Sequence, residues 1–99
     1  MIKVEVTKNR ILLLGHANFD DYGKDIVCAA VSSVVITTIE AIARFDEEAI
    51  NINESQSKLE IIINKHDDIT NKLIGNMLNL LNELVMKYPK NIKITNKEE

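Results

Sequence analysis

The sequence predicts an α+β fold, a two-layer sandwich in which a mostly antiparallel sheet carries two long helices, in the order ββαββαβ. Three observations predict it. Apolar and polar residues alternate in several short stretches, the two-residue period of strands with one wet face. Two longer stretches either run on in apolar and small residues or repeat them every three to four positions, the period of helices. The strand-like stretches come in pairs, each pair followed by a helix, so the helices must cover one face of the sheet. At 99 residues, 45% hydrophobic and 27% charged, the chain has the balance of an ordinary globular protein and the length of one domain, residues 1–99.

In residues 2–7, Ile2, Val4 and Val6 alternate with Lys3, Glu5 and Thr7, a first strand. Lys8-Asn9-Arg10 is a polar break that tolerates a tight turn, and Ile11 to Leu14 suits a more buried partner strand ending near Gly15-His16. From Ala17 to Lys24 the pattern is too irregular for a strand and too polar for a core segment, and reads as a mobile surface loop. From Asp25, placed as a helix cap, apolar and small residues run to Ala43, a long and largely buried helix. Its β-branched stretch Val34 to Ile39 favours a strand by propensity. The flanking alanines and the lack of turn residues keep it helical.

Ala49 to Asn53 alternates, Glu54 to Ser57 is a polar turn, and Leu59 to Ile63 alternates again, a second hairpin. Asp67-Asp68 cap a second helix in which Ile69, Leu73, Met77, Leu80, Leu81 and Leu84 recur at helical spacing, stopped by Tyr88-Pro89. Gly75 inside it points to a close approach of another backbone. Ile92-Lys93-Ile94 is a short last strand.

The net charge is −3, with lysines scattered among acids, which argues against direct nucleic-acid binding. The apolar runs look far shorter than the roughly 20 residues of a membrane span, and no secretory leader pattern opens the chain. A cytoplasmic protein without membrane contact is expected. The one cysteine, Cys28, forms no internal disulfide and supports no zinc cluster, so no metal or other cofactor is expected. His66 beside Asp67 and Asp68 reads as a turn and helix start.

Cys28 is therefore either buried packing or chemistry. It falls in the first turn of the expected helix, where free N–H groups and the helix dipole favour a thiolate and can donate to an oxyanion. His16 closes a strand twelve residues earlier, and the loop between them is long enough to bring imidazole and thiol together. Asp25 and Ser32 lie three before and four after Cys28, on its face of a helix, and either could orient His16 or bind substrate; a plain cap and a small packing residue are the alternatives. Gly15 and Gly23 bracket the loop where hinges would serve. Phe19 and Tyr22 either fold under it or line a groove for an apolar substrate side chain. On chemistry alone a lone cysteine is more often a small core residue, and one histidine at a strand end more often a polar surface residue.

Gly15-His16-Ala17, five further residues, then Gly23-Lys24-Asp25-Ile26-Val27-Cys28-Ala29-Ala30-Val31-Ser32 resembles the signature of the ribosomal-processing cysteine protease family, Prp. The resemblance continues through the second helix to Lys87-Tyr88-Pro89, Ile92 and Ile94. It implies an endopeptidase that removes a short N-terminal extension, after an aromatic residue, from a bacterial large-subunit ribosomal protein. It also implies a homodimer, His16 and Cys28 as the catalytic pair, Asp25 and Ser32 in support, and a mobile loop from Ala17 to Gly23. Substrate-binding candidates are then Gly15, Ala17, Phe19, Tyr22 and Gly23. The rival expectation is a non-enzymatic ribosome-associated module with Cys28 as core packing.

Overall fold

The computed structural model describes residues 1–15 and 22–97, with side chains of the first helix described from Ile26 onward. Seven elements follow one another: β1 (Ile2–Val6), β2 (Arg10–Leu14), α1 (Tyr22–Phe45), β3 (Ile50–Ser55), β4 (Lys58–Ile63), α2 (Asp68–Lys87) and β5 (Ile92–Asn96). This is the ββαββαβ order that the periodicities predict. The sheet order is β3-β4-β2-β1-β5, with every neighbour antiparallel except β5, which runs parallel to β1. A parallel pair needs a long crossover, and α2 supplies it.

Strand register decides which side chains meet the helices. Val4 faces Leu13 across β1 and β2, and Leu13 faces Leu59 across β2 and β4. Ile2, Ile11, Ile61 and Ile92 join them on the same face and are fully or almost fully buried. Against this face pack Val27, Val31, Val35 and Ile42 of α1 and Ile74, Met77 and Leu81 of α2, in one core cluster. Each large apolar side chain so buried contributes about 1.5–3 kcal/mol. Among the described residues no helix lies on the opposite face of the sheet.

The β-branched stretch of α1 is helical, against its propensity, because burial outweighs it. Val35 and Thr38 are buried, and the Thr38 hydroxyl donates to the Val34 carbonyl at 2.9 Å, which satisfies a polar group that would otherwise be stranded.

Several expectations are corrected. α1 begins at Tyr22, so Tyr22, Gly23 and Lys24 are helical rather than loop, and Asp25 is the fourth helical residue rather than the cap. Gly23 is thus no hinge beside the helix. α1 is also not largely buried: Ile26 is 63% and Ile36 53% exposed, on an outer apolar stripe that no other described element covers. The stretch Ile26–Phe45 is long and apolar enough to cross a membrane by length and composition, although serines and threonines divide it into short apolar runs. Its inner stripe nevertheless belongs to the core.

In α2 the buried stripe is Thr70, Ile74, Met77 and Leu81, while Ile69 and Leu80 are exposed. The helix is rotated so that a threonine, not Ile69, enters at its N-terminal turn. Nothing approaches Gly75: a Cβ there would have no atom within 4 Å, so no close backbone contact explains that glycine. Asp67 does cap α2, its side chain accepting from the Thr70 N–H at 2.8 Å.

Candidate active site

The site is built at one end of the sheet. β2 ends at Leu14, and the N–H of the next residue, Gly15, donates to the Ser57 carbonyl at 2.9 Å in the turn between β3 and β4. Gly15 has φ +81°, and a Cβ on it would stand 2.9 Å from the Met1 carbonyl oxygen. Both facts call for glycine here, since left-handed backbone strains other residues and the space is taken. Gly15 is therefore an anchored corner, not a hinge. His16, Ala17 and Phe19 lie outside the described residues, and Tyr22, Gly23 and Asp25 are described by backbone alone.

Cys28 is half-buried and in no disulfide. Because α1 starts at Tyr22, Cys28 is its seventh residue and sits in the second turn, not the first. The N–H groups without an intrahelical partner belong to the first turn of a helix, so the Cys28 N–H is not among them. Side chains on a helix lean toward its N-terminus, however, so a thiol at position 28 leans over the turn that contains residues 24 and 25.

Ser32, one turn further on, is half-buried and lines a cleft. Its neighbours there are Val31, Val35 and Ile36 of the same helix, Leu13 of β2, and Leu59 and Glu54 of the outer hairpin. Glu54 faces the helix layer because its register partner is Leu59, a core residue. The cleft is apolar with a carboxylate at its rim and opens about 6 Å along α1 from Cys28. Of these residues only Ser32 stands out in the sequence. Val31, Val35 and Ile36 are its neighbours by helical spacing but carry no signal beyond their β-branched neighbourhood, and Leu13, Glu54 and Leu59 come together only through strand register.

Another hollow lies at the far end of α1, between Phe45, Asp46 and the first turn of α2. It is about 25 Å along the helix from Cys28. Its acids are engaged: Asp46 with Lys65 at 2.7 Å, Asp68 with Lys72 at 3.1 Å, and Asp67 in the cap. His66 is tied to Asn9 by a 2.6 Å hydrogen bond across the connections at this end of the sheet, and its carbonyl accepts from Asn71 at 2.9 Å. Among the described residues no group of three or more His, Cys, Asp or Glu side chains is placed to hold a metal ion.

The model of one protein family, described as cysteine protease Prp, matches residues 1–93. The chain belongs to the Prp family. Membership makes it a cysteine protease, and the α+β fold with its ββαββαβ order is that of solved Prp structures. A ribosomal processing cysteine protease Prp of Mycoplasma genitalium is 30% identical over 96 residues, covering 95% of this chain and 94% of the relative. The Prp of Staphylococcus aureus is 29% identical over 106 residues, covering 98% and 100%. Crystal structures of an essential ribosomal processing protease Prp from S. aureus superpose closely. The complex with a substrate peptide gives a TM-score of 0.85 at 27% identity, covering 98% of this chain and 100% of the other. The complex with a covalently linked product peptide gives 0.86 at 28%, with the same coverage.

Proposed function

We propose that this Prp removes a short N-terminal extension from a bacterial large-subunit ribosomal protein, with Cys28 as nucleophile and His16 as general base. The observation that carries the reading is the position of Cys28, half-buried in α1 one turn from Ser32 and the apolar cleft. The covalently linked product peptide on the S. aureus relative supports attack by a protein side chain. Gly15, fixed at the Ser57 end of the sheet, lies two residues beyond Leu13 of that cleft and directly precedes His16 in sequence.

In the mechanism His16 takes the Cys28 proton and the thiolate attacks the scissile carbonyl carbon. The oxyanion is met by N–H groups at the start of α1. The tetrahedral intermediate expels the amine of the trimmed protein, which receives the proton from His16. Water, deprotonated by His16, then hydrolyses the thioester and restores the thiol. Asp25, one turn before Cys28, and Ser32, one turn after it, support the pair. The bulky apolar residue of an extended substrate fills the cleft beneath Glu54.

The active form is a homodimer in the cytoplasm, with the exposed stripe of Ile26, Ala29, Ser33 and Ile36 on α1 covered by a second copy. Incubating the chain with a peptide spanning the extension junction tests the chemistry. Cys28→Ala and His16→Ala are expected to lose at least about 10³-fold in cleavage while melting like the parent. Undiminished turnover in Cys28→Ala overturns the assignment. Sedimentation tests the dimer, and Ile36→Glu is expected to yield monomer.

A further inference from the structure

Three of the lysines scattered through the sequence line up on the molecule. Ile2, Val4, Ile92 and Leu59 point into the core, so Lys3, Lys93 and Lys58 point the other way, to the face of the sheet that no helix covers. Register aligns them. Lys58 is opposite Leu14, Leu14 is opposite Lys3, and Lys3 is opposite Lys93. Four adjacent strands thus carry a row with three exposed ammonium groups and no acid, spanning about 14 Å at the usual strand spacing.

The next row holds the face's two carboxylates, and both are already matched. Glu60 receives Arg10 at 3.0 Å and the Asn53 amide at 3.1 Å, and Glu5 receives Lys97 at 3.1 Å. Lys3, Lys58 and Lys93 have no ion-pair partner among the described residues. A chain of net charge −3 therefore presents one cationic face, with its excess of acid elsewhere.

We propose that the open face of the sheet docks on the phosphate backbone of double-helical RNA through Lys58, Lys3 and Lys93. Lysine is a compact point charge suited to single phosphate oxygens. No described aromatic lies on these rows, so the face offers no platform on which unpaired bases could stack. A regular backbone, recognised by charge and shape, fits better than a single strand. A lipid surface fits poorly, because membrane-surface elements insert bulky apolar groups and Leu12, at the centre of the face, is only 9% exposed. The choice of RNA over an acidic protein rests on the ribosomal reading above: a protease that trims a ribosomal protein works among helical RNA. The expectation of no nucleic-acid contact rests on net charge and on lysines scattered among acids along the chain, whereas register sets three of those lysines in one row.

The test is fluorescence anisotropy of a labelled 16-base-pair RNA duplex with the full chain. With three phosphate contacts, affinity should fall about 40-fold between 50 and 200 mM salt. The triple variant Lys3→Gln, Lys58→Gln, Lys93→Gln should lose binding at 50 mM salt while cleaving the junction peptide as the parent does. The same charge change on the helix layer, Lys72→Gln, Lys87→Gln, Lys90→Gln, should leave binding intact. Absence of binding at 50 mM salt, or equal loss in the two triple variants, overturns the proposal. So does tighter binding to phosphatidylserine vesicles or to a polyglutamate peptide than to the duplex. Because binding is read without turnover, failure of the proteolytic assignment shows up separately, in the peptide assay.

Discussion

The two ββα halves of the chain share an outline and differ where strand passes into helix. In the second half, residues 64–67 join β4 to α2 and are bonded along their length. The Asn64 N–H donates to the Ala49 carbonyl at 2.8 Å, Lys65 pairs with Asp46, His66 with Asn9, and Asp67 caps the helix. In the first half, residues 15–21 join β2 to α1, and the proposed base is among them. The helices differ likewise. α2 has one buried stripe and an otherwise mostly polar surface, whereas α1 is apolar on both its inner and outer sides. The connection of one half is bonded internally, and the other half carries the proposed base and the exposed apolar stripe of α1.

The largest effect that can break this division is on stability. Met77→Ala removes a fully buried side chain and should cost about 2–5 kcal/mol in urea unfolding, against a total of roughly 5–15 for a domain. Cys28→Ala should cost far less and remove the activity instead. If the two variants destabilise equally, Cys28 is core packing and the division fails.

A second contrast sets the two connections side by side. Gly15→Ala forces a side chain into left-handed backbone and against the Met1 carbonyl, so it should cost roughly 1–3 kcal/mol and lower cleavage beyond what the lost stability explains. Asp67→Ala removes only a cap and should cost about 1 kcal/mol, with cleavage by the folded protein unchanged. Equal effects on turnover per folded molecule would erase the distinction between the connections.

The smallest effect concerns pH. The hydrogen bond from Lys65 holds the Asp46 carboxyl below its ordinary range, and the same bond raises Lys65. A depressed carboxylate stabilises the fold fully above its unfolded pKa, about 3.9, and loses that contribution as pH falls through the lower folded value. A raised lysine contributes fully below its unfolded pKa, about 10.4, and loses it as pH rises through the higher folded one. Between pH 5 and 9, Asp46→Asn should therefore shift the Tm by a constant and small amount, because both partners are exposed. A Tm difference that varies across that range would implicate another group.

Much of this architecture is legible in the residues. Alternation in Ile2 to Val6 and Leu59 to Ile63 carries the strands, and Asp67 marks the start of α2, because local chemistry decides both. The start of α1 is not legible: Asp25 looks like a cap, yet helix extends back to Tyr22, through a glycine, where sequence has no strong stop. The cleft and the lysine row are illegible for a different reason. Leu13, Glu54 and Leu59 meet only through pairing register, as do Lys3, Lys58 and Lys93, and Val35 reaches them only by packing of α1 on the sheet, so no local pattern encodes which residue faces which.

Pairing of β1 with β5 joins Ile2 to Ile92, ninety positions apart, and so ties the first strand to the last element of the fold. Contacts of such separation close late, since the chain must lose its loop entropy before they repay it. Met1 and Gly15, at the working end of the sheet, are adjacent to that same first strand. Until residues 92–96 emerge from synthesis and dock, β1 is an open edge, and the Gly15 corner beside Met1 rests on an unfinished sheet. If the proposed base does follow that corner, a nascent copy should cleave the junction peptide poorly until β5 docks.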